Sequence, residues 1–186
     1  WWPRFQGRVQ DVPLRRISVG QSDNDGVEIS TRWDLQALAG VERTPDFDAE
    51  LRVEGATERG AGAGVLLTGT GRDPGRLEAF YLYDDGEDLT PAGRTVDQDG
   101  ANRGIALYEQ RIGLGRDWSL LAQASYVSDP TFVAEWREDD YRDRRAFETG
   151  ARLESQRRQE AFSLEGSYRI EDFVSNGWLL ASPVFA

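Results

Sequence analysis

The sequence predicts an all-β protein, an antiparallel meander of about nine or ten strands with almost no helix. Three observations carry this. Apolar and charged residues alternate one by one over long stretches, turn-forming clusters separate those stretches, and no segment has the spacing of a long amphipathic helix. Period two sends successive side chains to opposite faces, so each alternating run makes a strand with one oily and one wet face.

Taken in order, a weak strand is expected over 14–20, and Asp23-Asn24-Asp25-Gly26 supplies the turn after it. Val27, Ile29, Trp33 and Leu35 then share one parity, with Glu28, Ser30, Arg32 and Asp34 on the other. A short helix is a candidate over 34–40. The clearest strand follows, with Phe47, Ala49, Leu51 and Val53 alternating with Asp48, Glu50, Arg52 and Glu54. Weaker strands fit 61–70, 76–84, 103–112 and 118–127, with turn chemistry at Asp73-Pro74-Gly75, Asp84-Asp85-Gly86 and Asp99-Gly100. A second short helix opens at Asp129-Pro130, with Asp as N-cap and Pro at the first helical position. Its acids Glu135, Glu138 and Asp139 precede Arg142, Arg144 and Arg145, an order that suits the helix dipole. Strands resume where Phe147, Ala151 and Leu153 alternate with Glu148, Arg152 and Glu154. Phe162, Leu164, Tyr168 and Ile170 then alternate with Ser163, Glu165, Ser167 and Arg169, and a last strand is a candidate over 177–182.

Composition excludes several function classes. The 186 residues hold 33 Asp+Glu against 22 basic residues, a net charge of −11, which disfavours a nucleic-acid partner. With no Cys and no His, the chain has no disulfide framework, zinc site of the usual kind, Cys nucleophile or Ser-His-Asp triad. Every basic residue is Arg, so a Walker lysine is missing too. The longest uncharged stretch, 173–186, is 14 residues interrupted by Asn176-Gly177 and Pro183. It falls short of the ~18 apolar residues of a transmembrane helix. An opening Trp1-Trp2-Pro3 without Met or a leader pattern leads to the expectation of a processed chain or a piece of a longer one.

The alternation fits either a soluble sandwich, oily face inward, or a membrane barrel, oily face toward lipid. Aromatic placement favours the barrel. Trp118 and Tyr126 share a parity and bracket Leu120, Ala122 and Ala124. Eight residues at ~3.3 Å span roughly 26 Å, or ~20 Å vertically at a tilt near 40°, close to the ~25 Å apolar band of such barrels. The small residues Ala and Gly suit a lipid face better than a soluble core. Trp33, Phe47, Trp118, Tyr126, Phe147, Phe162 and Tyr168 are therefore expected to face lipid, as an aromatic girdle. Glu28, Arg32, Asp48, Glu50, Arg52, Glu54, Glu148, Arg152 and Glu154 are expected to face the lumen.

Candidate chemical motifs fail on spacing. Aligning Gly26 with the sixth position of a calcium loop puts Gln21 first and Arg32 twelfth, where acids are required. The segment after Thr95 fails in the same way at Arg111. Gly60-Ala61-Gly62-Ala63-Gly64 lacks phosphate-loop spacing and reads as close backbone approach at a strand start. Glu135, Glu138, Asp139 and Asp140 read as a solvated helix face. No catalytic constellation, metal site or cofactor is expected, and the protein is not read as an enzyme.

One run carries a family resemblance. Trp118 through Tyr126, then Val127-Ser128-Asp129-Pro130 and the aromatic Phe132, resembles a segment of the LptD family, the outer-membrane lipopolysaccharide-assembly proteins also called organic-solvent-tolerance proteins. Pro13-Leu14-Arg15-Arg16 with Ser18-Val19-Gly20 resembles the start of that family's barrel. The stretch from Val27 to Leu35 resembles an early strand, and Glu58-Arg59-Gly60 the turn before a later one.

The resemblance implies one part of a very large barrel in the outer membrane of a Gram-negative bacterium. Residues 1–186 would be the barrel's start and first strands, without the family's periplasmic jelly-roll, its remaining strands or its disulfide cysteines. It implies transport and insertion of lipopolysaccharide, with a plug lipoprotein, a periplasmic lipopolysaccharide-bridge protein and outer-membrane lipid as partners. Lipid would leave through a gate between first and last strands, where Pro13 is the gate candidate and Pro3 a weaker one, because proline removes a ladder donor. The connections 85–102 and 128–145 would then be extracellular, and 113–117, 157–159 and 71–75 periplasmic turns. The 36–45 link is long for that side. The alternatives are a complete eight-stranded outer-membrane barrel of structural or adhesion type and a soluble glycan-binding β-sandwich.

Overall fold

The computed structural model describes residues 12–22, 25–89, 93, 95–98, 100–142 and 147–168. The expected strand at 177–182 and Pro3 lie outside them. The elements in chain order are β1 (Leu14–Ser22), β2 (Gly26–Asp34), α1 (Leu35–Leu38), β3 (Phe47–Ala56), β4 (Gly60–Gly69) and β5 (Gly75–Asp84). They continue with β6 (Glu87–Leu89), β7 (Thr95–Asp97), β8 (Ala101–Gly113), β9 (Trp118–Val127), α2 (Phe132–Trp136), α3 (Glu138–Arg142), β10 (Thr149–Arg157) and β11 (Glu160–Tyr168). Nine strands form one antiparallel sheet in the order β1-β2-β3-β4-β5-β8-β9-β10-β11, and β6-β7 make a separate hairpin. No ladder joins β1 to β11 among the described residues, so both are edges of this sheet.

The registers sort the side chains onto two faces. Glu54 of β3 lies opposite Ser30 and Gly62, and Arg52 opposite Arg32 and Gly64. Gly64 lies opposite Phe80, Phe80 opposite Ile105 and Ile105 opposite Val127. Gln123 lies opposite Gly150, and Arg152 opposite Glu165. Because directly opposed residues share a face, this polar face runs unbroken across the sheet. The other face holds Val27, Ile29 and Trp33, then Phe47, Leu51 and Val53, then Val65 and Leu67, then Tyr81 and Tyr83, and onward to Leu164 and Tyr168. It is apolar on every strand, and many of its large residues are exposed.

Phe80, Leu82, Ile105 and Val127 are apolar residues on the polar face. They do not meet solvent, because Phe132 and Phe147 complete a buried cluster with them, and Val133 and Trp136 pack against it. The described part of the 128–148 connection, through Phe132, Val133, Trp136 and Phe147, thus folds over the middle of the polar face at one end of the strands. Two glycines make room beneath it. A Cβ at Gly62 would stand 2.5 Å from Leu82 Cβ, and one at Gly64 2.7 Å from the Phe80 ring. The glycine run therefore marks close approach, as its sequence suggests.

Two expectations change here. Phe147 is not a girdle residue: β10 begins only at Thr149, so the strand's alternation does not reach back to it, and its ring is buried in the interior cluster. Glu148, also ahead of β10, is fully buried rather than facing an open lumen. The first helix matches its expected place, with the Asp34 carboxylate accepting from Ala37 N at 2.9 Å. The second starts later than expected, with Thr131 as its N-cap.

Candidate functional site

The polar face carries a dense charged cluster at the loop-covered end. Arg59, from the β3–β4 turn, and Arg103, from β8, have side chains 0% and 1% exposed. Arg59 forks onto Asp84 with contacts of 2.9 and 2.7 Å and also reaches Glu135 at 2.8 Å. Arg103 binds Asp84 at 2.6 Å, Asp88 at 2.9 and 2.7 Å, and Asp129 at 3.0 and 2.8 Å. The guanidinium planes also cover aromatic rings: Arg59 lies 5.4 Å from the Trp136 centroid and Arg103 5.6 Å from Phe132. Such rings favour a cation on their face.

The geometry clamps two connections to the sheet. Asp88 comes from β6 in the 85–100 connection, and Asp129, Glu135 and Trp136 come from 128–148. Asp84 and Arg103 belong to β5 and β8 of the sheet itself. Thr131 donates its hydroxyl to Asp88, so the two connections also touch each other.

The segment Val127-Ser128-Asp129-Pro130 forms the hinge of this arrangement. Val127 ends β9 in the apolar cluster. Ser128 N donates to Gly104 O at 2.9 Å, and Gly104 N donates to Ser128 Oγ at 3.0 Å, tying the turn to β8. Asp129 accepts from the backbone N–H groups of Thr131 and Phe132, so it serves the start of α2 without being its N-cap.

Asp129 is pushed up by burial, but Arg103 and Ser128 outweigh that and hold it at about 2. Its ordinary value is 3.8. A carboxylate whose folded pKa is depressed stabilises the fold above its unfolded pKa, and that stabilisation is lost as pH falls through the folded value. The contribution is on the order of 2 kcal/mol. The denaturant midpoint should therefore hold down to about pH 4 and drop between about pH 4 and 2, and the drop should be smaller in Asp129→Asn. Equal acid profiles for the two proteins would count against this role. Glu135 behaves oppositely: burial raises it, and Arg59 offsets only part of the effect. It is a half-buried partner of Arg59, not part of a fully solvated helix face.

The remaining predicted residues fall where the alternation puts them. Glu28, Arg32, Asp48, Glu50, Arg52, Glu54, Arg152 and Glu154 all lie on the polar face. Arg52 bridges Glu50 at 2.9 Å and Glu78 at 3.3 Å. Arg137 sits 4.2 Å over the Phe80 ring and reaches Glu54 at 3.2 Å. At the other end, Arg15 joins Asp34 at 2.9 Å and Asp48 at 2.6 Å, made possible by a bulge between Leu14 and Arg16. On the apolar face, Trp33, Phe47, Trp118 and Phe162 lie near the end opposite the cluster. Trp118 and Phe162 meet edge to face at 5.8 Å. Tyr126 and Tyr168, with Tyr81 and Tyr83, lie near the clustered end. Pro13 precedes β1 at the sheet edge, and its carbonyl accepts from Asp34 N at 2.6 Å.

The sequence reading missed Arg59, Arg103, Asp84 and Asp88. One signal was available: Asp84 shares parity with Phe80 and Leu82, and Arg103 with Ile105 and Leu107. A charge in an otherwise apolar row needs a buried partner.

Among the described residues, no group of three or more acids is arranged to hold a metal ion, and no helix is long and apolar enough to cross a membrane. No known protein-family model matches the chain, and no match was found among curated proteins.

Proposed function

We propose that the chain is a segment of the wall of a bacterial outer-membrane β-barrel that moves lipopolysaccharide to the outer leaflet. The observation that carries the membrane part is the apolar face. It spans all nine sheet strands, holds mainly aliphatic residues in its middle and has aromatic residues toward both ends, the signature of a lipid-facing wall. A soluble protein rarely leaves so large a contiguous apolar surface bare. The opposite face, charged and partly covered by its own connections, suits a water-filled interior.

The cargo rests on the resemblance at Val127-Ser128-Asp129-Pro130 and the strand before it. In this reading the clustered end faces the cell exterior. Pro13, at the edge of β1, flanks a lateral gate to the last strand, and a plug lipoprotein and a periplasmic bridge protein complete the route. A sandwich would need a second sheet on the apolar face, whereas hairpin β6-β7 reaches the polar side through Asp88. An eight-stranded barrel is disfavoured by nine paired strands in one sheet.

The test is depletion of the full-length gene product in its native cell. Newly made lipopolysaccharide should stop reaching the surface and accumulate at the inner membrane. Normal surface delivery after depletion would reject the cargo.

A further inference from the structure

Strand β1 is nine residues long and pairs on one side only, with β2. An open edge of that length is a template for another strand. Every ladder in the large sheet is antiparallel, so β1 and β11, its first and ninth strands, run in the same direction. β11 therefore cannot close onto β1 by an antiparallel ladder. At this edge Pro13 offers no N–H and the bulge between Leu14 and Arg16 interrupts the ladder, so backbone pairing alone is a weak join here.

The register sets three arginines in one row on the polar face. Arg16 of β1 lies opposite Arg32 of β2, and Arg32 opposite Arg52 of β3. Like charges directly opposed destabilise a sheet, so such a row needs counter-charges beside it. Its inner end has them: Arg52 bridges Glu50 at 2.9 Å and Glu78 at 3.3 Å. Arg32, in the middle, stands 3.9 Å from Glu50.

The outer end has none. Arg16 is exposed, donates to Ser18 Oγ of its own strand at 3.2 Å, and has no carboxylate at ion-pair distance among the described residues. The acids nearby are held by other bases. Asp34 takes Arg15 at 2.9 Å and Arg43 at 2.5 Å, Asp48 takes Arg15 at 2.6 Å, and Glu50 is shared by Arg52, Arg32 and Arg15. Glu78 also serves Arg76 and Arg137, and Glu54 serves Arg137. Glu28 lies opposite Gly20, four positions from Arg32 and about 13 Å along the strand. Arg15, Arg16, Arg32, Arg43 and Arg52 thus face Asp34, Asp48, Glu50 and a share of Glu78. The β1 edge is locally basic, in a chain whose net charge is −11.

We propose that the open edge of β1 pairs with an antiparallel strand of the same protein, outside residues 12–168, that carries a carboxylate on the polar side beside Arg16. The carboxylate completes the arginine row, and its charge-assisted bond holds the two strands where proline and bulge weaken the ladder. Directly opposed and diagonal positions on such a strand lie about 5–8 Å away, within reach of a long side chain. A second copy of β1 is a poor occupant, because it would set one basic edge against another. The assignment rests on the reading of the chain as part of a barrel wall and names the chemistry by which that wall continues.

The test uses the full-length protein in its native membrane, with the photocrosslinker p-benzoylphenylalanine in place of Gly20, an exposed residue on the polar face of β1. Mass spectrometry identifies what it captures. The expected result is a peptide of the same chain with an Asp or Glu about four positions beyond the captured residue, where an antiparallel strand passes Arg16. Arg16→Glu should then cut the crosslink yield severalfold and Arg16→Gln should cut it less. Replacing the captured strand's acid with Arg in the Arg16→Glu protein should restore the yield. Arg16 is exposed and its bond to Ser18 stays within β1, so these variants should assemble, which protease resistance in the membrane can verify. A same-chain strand without such an acid, or a swap that fails to restore the yield, would overturn the ionic seam and leave the wall reading standing. Capture of lipid, of a separate protein, of a second copy or of nothing beyond β2 would overturn the pairing itself.

Discussion

Arg103→Leu should destabilise the protein by about 3–5 kcal/mol, the cost of removing one partner from a buried ionic group. The leucine fills part of the space but leaves Asp129 without a cation and Asp84 and Asp88 to share Arg59 alone. Arg103 makes hydrogen bonds to all three. The 128–148 connection should detach first, because its hold on β8 runs through Asp129, Ser128 and Thr131. Trypsin should then cut at Arg137 and Arg142 far faster than in the wild type, and the denaturant midpoint should fall. Arg157→Ala is the control. Its pair with Asp117 is exposed on both sides, at 63% and 39%, and such pairs contribute at most about 1 kcal/mol. Similar behaviour of the two variants would mean that the buried cluster does not hold the connections down.

The second large effect concerns the apolar face. Val65 sits midway along β4, with Leu51 on one side and Ala79 on the other. Val65→Arg should cost about 2–4 kcal/mol if this face meets the middle of a bilayer. On a water-exposed sheet the same change should fall within about 0.5 kcal/mol. Stability of the refolded full-length protein in lipid, measured by denaturant titration, separates the two. A neutral result would reject the lipid-facing assignment, whatever becomes of the cargo. An arginine placed at Leu66, on the charged side next to Glu50 and Glu78, should be far better tolerated.

Much of this architecture was legible because one-sided burial writes itself into sequence. β2, β3 and β11 each have one apolar and one polar face, and their alternation located them closely. Two of the strands that read as weak, 76–84 and 103–112, carry apolar residues on both faces, one covered and one exposed. Phe80, Leu82 and Ile105 lie under the 128–148 connection, while Tyr81, Tyr83 and Tyr108 occupy the other face, so apolar residues fill both parities and blur the period. The same covering hid the charged cluster. Arg59 looked like an ordinary turn residue, and Glu135 like a solvated helix acid, because their meeting depends on a contact across 76 positions of chain. Local pattern can show that Arg103 interrupts an apolar row, but not which carboxylates will surround it. Phe147 failed for a related reason: its parity matched β10, yet the strand starts two residues later.

The meander has a kinetic meaning as well. Each ladder in the large sheet joins strands adjacent in the chain, except that β5 and β8 pair across the small β6-β7 hairpin. Most ladders therefore close only a short loop, the exceptions being β5–β8 and β9–β10 with their long connections, which keeps the entropic cost of most steps low and favours local assembly. The sheet can grow by one hairpin at a time, each new strand templated on the open edge left by the last, and the clamp between Arg103 and Asp129 can close only after β8 and β9 have paired. Assembly order is thus written into connectivity, with the ionic cluster as a late lock on strands already in register.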